Sequence, residues 1–192
     1  MPLIEIRQLS THVKLGLWRI DESIGGAPRQ RERQAVLSLL HVMTGDETLT
    51  IGHEPSGKPF IDPFHGNISV SHTRGYAALL LSDGRERLGV DIEYRSDRVE
   101  RIASRFIRTD EDAPTTADKL LIWSAKEAVY KLYSEDHLMF FDMRTQRFSS
   151  LRNISEKGVG LLHMENLVRK EVVDVHYEFT DDYVLTFAFL PA

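Results

Sequence analysis

Polar and apolar residues alternate in two stretches at the start of the chain, over residues 2–9 and 12–20. Successive side chains on a strand point to opposite faces, so both stretches predict strands. A turn-forming DESIGGAP follows. Over residues 28–45, Val36, Leu39, Leu40 and Met43 recur at helical spacing, with Pro28 suited to the first turn and Gly45 to the C-terminal cap. HEPSGKPFIDPFHGN is rich in Gly and Pro and predicts no regular element. ISVSH and YAALLLS predict two strands joined at TRG, and LGVDIEY a third. In DRVERIASRFI, Val99, Ile102 and Phe106 share one helical face. A longer helix is expected over 116–134, burying Leu121, Ala125, Ala128 and Leu132, and GVGLLHM, EVVDVHYEF and YVLTFAFL read as antiparallel strands. Strands and helix come in similar order before and after about Leu88. The expected fold is therefore α+β, in two related halves, residues 1–88 and 89–192.

Composition narrows the chemistry. The 192 residues are 42% hydrophobic and 28% charged, in the range of an ordinary globular protein. Without cysteine there is no disulfide framework, thiolate metal site or cysteine nucleophile, so any metal is held by oxygen or imidazole. No apolar run is long enough to span a membrane, and MPLIEIRQLS lacks the pattern of a signal peptide, which predicts a cytoplasmic protein. A net charge of −5 argues against bulk nucleic-acid binding.

Two acidic signals stand out. In GVDIE, Asp91 and Glu93 share one face of a strand while Val90 and Ile92 point into the core. Like charges so placed repel, which calls for a cation between them or for solvent on an edge strand. In WSAKEAVYK, Ser124, Glu127 and Lys131 form a polar stripe opposite the apolar one, free to face a site. A surface ion pair between Glu127 and Lys131 is the simpler alternative. If the stripe joins the strand pair, three carboxylates make an oxygen-rich set suited to Mg²⁺.

GVDIE followed by WSAKEAVYK resembles the signature of the 4'-phosphopantetheinyl transferase superfamily. Upstream, SGKPFI and SVSHTRGYAALLLS resemble two earlier motifs of its surfactin-synthetase-activating (Sfp-type) branch, in the expected order. The resemblance implies a pseudo-twofold α+β monomer with coenzyme A between the halves. It also implies transfer of the 4'-phosphopantetheine arm of coenzyme A to a serine of an apo acyl or peptidyl carrier protein, with release of 3',5'-ADP. On it, Asp91, Glu93 and Glu127 match metal-binding acids, with Glu127 also placed to take the serine proton. Lys126 and Lys131 match lysines near the pyrophosphate, and Lys131 joins Glu127 in catalysis. His72 matches a histidine that hydrogen-bonds the phosphates, with Ser71 beside it either as a further coenzyme A contact or paired with a strand neighbour, and Gly57, Lys58 and Pro59 match a loop against the nucleotide. Arg31 and Arg33 are candidates for the 3'-phosphate, or a solvated helix face.

Arg98, Arg101, Arg105 and Arg108 are spaced three, four and three apart. On a helix they lie on one side, suited to an acidic carrier or simply to solvent. Two other readings use the same residues: a catalytically silent coenzyme A- or carrier-binding module, and a Mg²⁺ phosphohydrolase with water as nucleophile.

Overall fold

The computed structural model describes residues 2–23, 25–63, 66–146 and 158–191. Strands β1 (Leu3–Gln8) and β2 (Val13–Arg19) precede helix α1 (Pro28–Thr44). They are followed by β3 (Thr50–His53), β4 (Pro59–Asp62), β5 (Asn67–Thr73), β6 (Tyr76–Ser82) and β7 (Arg87–Tyr94). Helix α2 (Thr116–Leu132) leads to β8 (Met143–Thr145), β9 (Gly158–Asn166), β10 (Glu171–Phe179) and β11 (Tyr183–Leu190). The result is α+β, and all strand pairings among the described residues are antiparallel.

Of three sheets, a four-stranded one has the order β1-β2-β6-β5, a five-stranded one β7-β11-β10-β9-β8, and β3 pairs with β4 in the third. Three apolar clusters stack the layers. Leu39 and Leu40 of α1 pack with Leu79 and Leu81 of β6. Leu15, Leu17 and Leu80 meet Val90, Ile92 and Leu185 between the sheets. Leu121, Ala125 and Val129 of α2 cover Val173, Val175 and Ala188. β6 is covered on both faces, which is why YAALLLS is an unbroken apolar run.

Both helices end as their sequences direct. Pro28 opens α1, and Gly45 closes it at φ 74°, a left-handed conformation that glycine adopts without strain. Thr115 caps α2 in a reciprocal capping box with Asp118.

Two expectations need correction, and one further strand has no signal in the sequence. The Gly- and Pro-rich stretch forms a hairpin, β3 against β4, because Pro59 occupies the first position of a strand and leaves the two-stranded ladder intact. Residues Asp97–Arg105 form a 3₁₀ helix, not an α-helix. At three residues per turn, Arg98 and Arg101 align while Arg105 falls one step round. Finally, β8 is too short, at three residues, to show any periodicity.

Candidate functional site

β7 is an edge strand of its sheet, and how its free edge is satisfied determines the site. Its other edge pairs with β11, placing Asp91 opposite Thr186 and Glu93 opposite Val184. The amides facing away from β11 are taken by hydroxyls of β5. Val90 N–H donates to Ser69 Oγ at 3.0 Å, Ile92 N–H to Ser71 Oγ at 3.2 Å and Tyr94 N–H to Thr73 Oγ1 at 3.2 Å. Alternate residues on β5 thus take three amides of that edge through their side chains, joining the two larger sheets without a backbone ladder.

The same register serves the acids. Ser71 Oγ donates to Asp91 Oδ1 at 2.9 Å, and Thr73 makes a side-chain hydrogen bond to Glu93. Trp123 Nε1 donates to Glu93 Oε1 at 2.9 Å, its ring lying against Phe106 and Phe140. A cation stands beside the acids: Lys131 Nζ donates to Asp91 Oδ1 and to Val90 O, each at 2.8 Å. Lys131 therefore pairs with Asp91 across elements and is not the surface partner of Glu127. Gly89 makes that reach possible, since a methyl group there would lie 2.0 Å from the Ala128 carbonyl oxygen and 2.9 Å from the Leu132 nitrogen.

Mutual charge and burial perturb the carboxylates. Burial, reinforced by Asp91, pushes Glu127 up to about 7, with Lys131 opposing and Glu93 adding to the rise. Glu93 is raised by burial and then by Asp91, against the Trp123 hydrogen bond and Lys131. Asp91 is buried, and its Oδ2 has no hydrogen-bond partner.

A cleft of about 500 Å³ lies beside this cluster. The β3–β4 hairpin brings Gly57, Lys58 and Pro59 to it, β5 brings Ser71 and His72, and α2 brings Lys131. Lys131 thus belongs both to the cleft lining and to the acid cluster. His72 Nδ1 stands 3.5 Å from Glu32 of α1.

Other residues expected at the site lie elsewhere. Lys126 has no exposed side-chain area. It donates to Glu111 Oε2 at 2.6 Å and to Phe106 O at 2.7 Å, so its ammonium is committed to the core and does not face the cleft. Ser124 is also buried, exchanging hydrogen bonds with Thr186 on β11, so the expected polar stripe shrinks to Glu127 and Lys131. Arg31 donates to Gly26 O, and Arg33 lines a separate shallow groove near Gln30 and Leu37. Arg98, Arg101 and Arg105 are exposed, whereas Arg108 is engaged by Asp110 and the Phe141 carbonyl.

A sequence profile of the 4'-phosphopantetheinyl transferase superfamily matches residues 87–188, from the first residue of β7 into β11 and across more than half of the chain. The chain belongs to this superfamily. The transferase's matched region holds Asp91, Glu93, Glu127 and Lys131, whereas the hairpin, Ser71 and His72 lie upstream of it. No curated protein matches the chain. Its family transfers phosphopantetheine to carrier proteins. No helix among the described residues is long and apolar enough to cross a membrane.

The acids of this transferase suit a hard cation in donor chemistry: three carboxylates, one of them with a buried, unpartnered oxygen. They are not assembled around one. Among the described residues no three acidic or histidine side chains converge in ligating geometry, and Trp123 and Lys131 occupy oxygens of Glu93 and Asp91. Trp123 and Thr73 are the contacts that sequence reading missed. An indole N–H has no periodic signature, and Thr73 falls on the turn side of SVSHT.

Proposed function

We propose that the protein transfers the 4'-phosphopantetheine arm of coenzyme A to a serine of an apo acyl or peptidyl carrier protein in the cytoplasm, with Mg²⁺ as cofactor and 3',5'-ADP as the second product. The observation that carries this reading is the double membership of Lys131, one cation shared by the cleft and the acidic cluster. Gly57, Lys58, Pro59, Ser71 and His72 on the cleft wall also support the Sfp-type motif assignment.

In this reading the nucleotide lies along the hairpin and His72, and the pyrophosphate reaches Lys131. Asp91, Glu93 and Glu127 would hold Mg²⁺, which when bound neutralises charge on the pyrophosphate. Glu127, a carboxylate beside the metal, would take the serine proton directly or through a metal-bound water. The serine oxygen bonds to the β-phosphorus, the bond from that phosphorus to the bridging oxygen breaks, and 3',5'-ADP departs with the electron pair. Lys131 donates hydrogen bonds to the oxygens on which charge accumulates. The exposed Arg98, Arg101 and Arg105 favour an acidic carrier.

The test is to incubate the protein with coenzyme A, MgCl₂ and purified apo carriers of both classes and to weigh the carriers by mass spectrometry. The expected result is a gain of one phosphopantetheine, lost in excess chelator. Coenzyme A binding without any mass gain would support a silent module, and carrier-independent cleavage of coenzyme A would support a phosphohydrolase.

A further inference from the structure

The resemblance gives Ser71 to coenzyme A, but its hydroxyl is already committed elsewhere. Ser71 is buried, accepts the Ile92 amide and donates to Asp91 Oδ1. Oδ1 takes a second hydrogen bond from Lys131, so both donors converge on one carboxylate oxygen. Those bonds fix the rotation of the carboxylate and leave Oδ2 with no donor, although Asp91 is only 4% exposed. A buried, unpartnered carboxylate oxygen is costly and calls for a ligand.

We infer that Ser71 is a positioning residue, which holds the Asp91 carboxylate so that Oδ2 is presented to a divalent cation. The inference rests on the cation reading proposed above. Ser71 acts through two bonds at once: accepting the Ile92 amide anchors the hydroxyl to the strand, and donating to Oδ1 sets the acid. Thr73 repeats the arrangement two residues on, with the Tyr94 amide and Glu93. Ser69 accepts the Val90 amide in the same way, but the next position on that face of β7 is Gly89, which has no acid to orient. The three hydroxyls therefore supply their own control.

The experiment measures Mn²⁺ binding by electron paramagnetic resonance on the full chain without coenzyme A, alongside urea denaturation in chelator. Ser71→Ala is expected to loosen Mn²⁺ about tenfold or more, the usual cost of losing a group that orients a ligand. Ser71→Thr, which keeps the hydroxyl, should restore most of the affinity. Ser69→Ala should leave affinity within about twofold while shifting the urea midpoint as much as Ser71→Ala does. Should Ser71→Ala not fold, Ser71→Cys keeps the volume with a much weaker donor. Wild-type Mn²⁺ affinity in Ser71→Ala, or equal loosening in Ser69→Ala, would overturn the positioning role alone. A raised Michaelis constant for coenzyme A with unchanged Mn²⁺ affinity would also overturn it, in favour of a direct substrate contact. If the wild-type protein takes up no Mn²⁺, the cation reading fails and the positioning role with it.

Discussion

Two of the three lysines of helix α2, Lys126 and Lys131, stand five residues apart in different surroundings, the first fully buried and the second a quarter exposed. Around Lys126 every polar group is matched. Glu111 Oε2 accepts from Lys126 and the Arg108 amide, while Oε1 accepts from the amide and hydroxyl of Thr145. Around Lys131 the match is incomplete: Asp91 Oδ1 is doubly bonded and Oδ2 is bare. Burial pushes the Lys126 ammonium down from its usual value, and Glu111 pulls it back. A saturated buried pair fastens the 106–111 segment and β8 onto α2. An unsaturated one is poised for a ligand. Residue type alone does not separate the two lysines; their leftover hydrogen-bonding capacity does.

The sharpest way to break this contrast is to remove Lys126. Lys126→Ala leaves Glu111 charged and buried, which should cost about 3–5 kcal/mol in urea denaturation. Lys126→Met combined with Glu111→Gln should recover more than half of that loss and keep the Michaelis constant for coenzyme A. A tenfold rise in that constant in the double variant would return Lys126 to the pyrophosphate, as the resemblance implies. Lys131→Ala should instead lower turnover on the order of 10²-fold, about 2.7 kcal/mol, with little change in the urea midpoint when Mg²⁺ is present. Unchanged turnover would make Lys131 a structural counter-ion like its neighbour.

Glu127 gives a pH test of the unsaturated cluster. Its folded value, about 7, is above that of an unfolded carboxyl, so the folded state binds the proton more tightly. Stability is therefore lost as pH rises from the unfolded value to about 7. In chelator, Glu127→Gln should be more stable than wild type by about 1–2 kcal/mol at pH 8, discounted for partial exposure. The advantage should vanish below the ordinary carboxyl range, and an advantage independent of pH would contradict the assignment. The smallest effect concerns the surface. Reversing Arg98 and Arg101 to Glu should raise the Michaelis constant for an acidic acyl carrier protein several-fold at low salt. That difference should close as the Debye length falls from about 10 Å at 0.1 M to about 3 Å at 1 M. Equal salt dependence in both proteins would leave these arginines as solvated groups.

What the sequence made legible follows from periodicity. Strands β1, β2, β5, β6, β7 and β9–β11 and both α-helices lie where alternation or 3.6-residue spacing places them, because each buries one face or both. The acids Asp91, Glu93 and Glu127 stand out in the sequence by their spacing and by the order of motifs. Hydrogen-bond destinations were not legible. Whether Lys126 or Ser124 faces a cleft depends on the path of 106–111 and on Thr186, both remote in sequence. The 3₁₀ helix is not legible because Val99, Ile102 and Phe106, spaced three and four apart, follow 3.6 residues per turn, and Phe106 lies just past the end of the helix. The β3–β4 hairpin was hidden by its own prolines.

Gly89 carries one more consequence. The nearest obstacle to a side chain there is the backbone oxygen of Ala128, so the offset between α2 and β7 is set by main chain meeting main chain. Such a stop has no volume to inherit or mutate. Core residues such as Leu121 and Val129 can be exchanged for others of similar size while the helix stays seated at the same depth. That insulates the reach of Lys131 toward Asp91 from drift in the core. A repacked Val129→Ile protein should accordingly keep its turnover, whereas Gly89→Ala, one methyl added at the stop, should lift the helix and lose it.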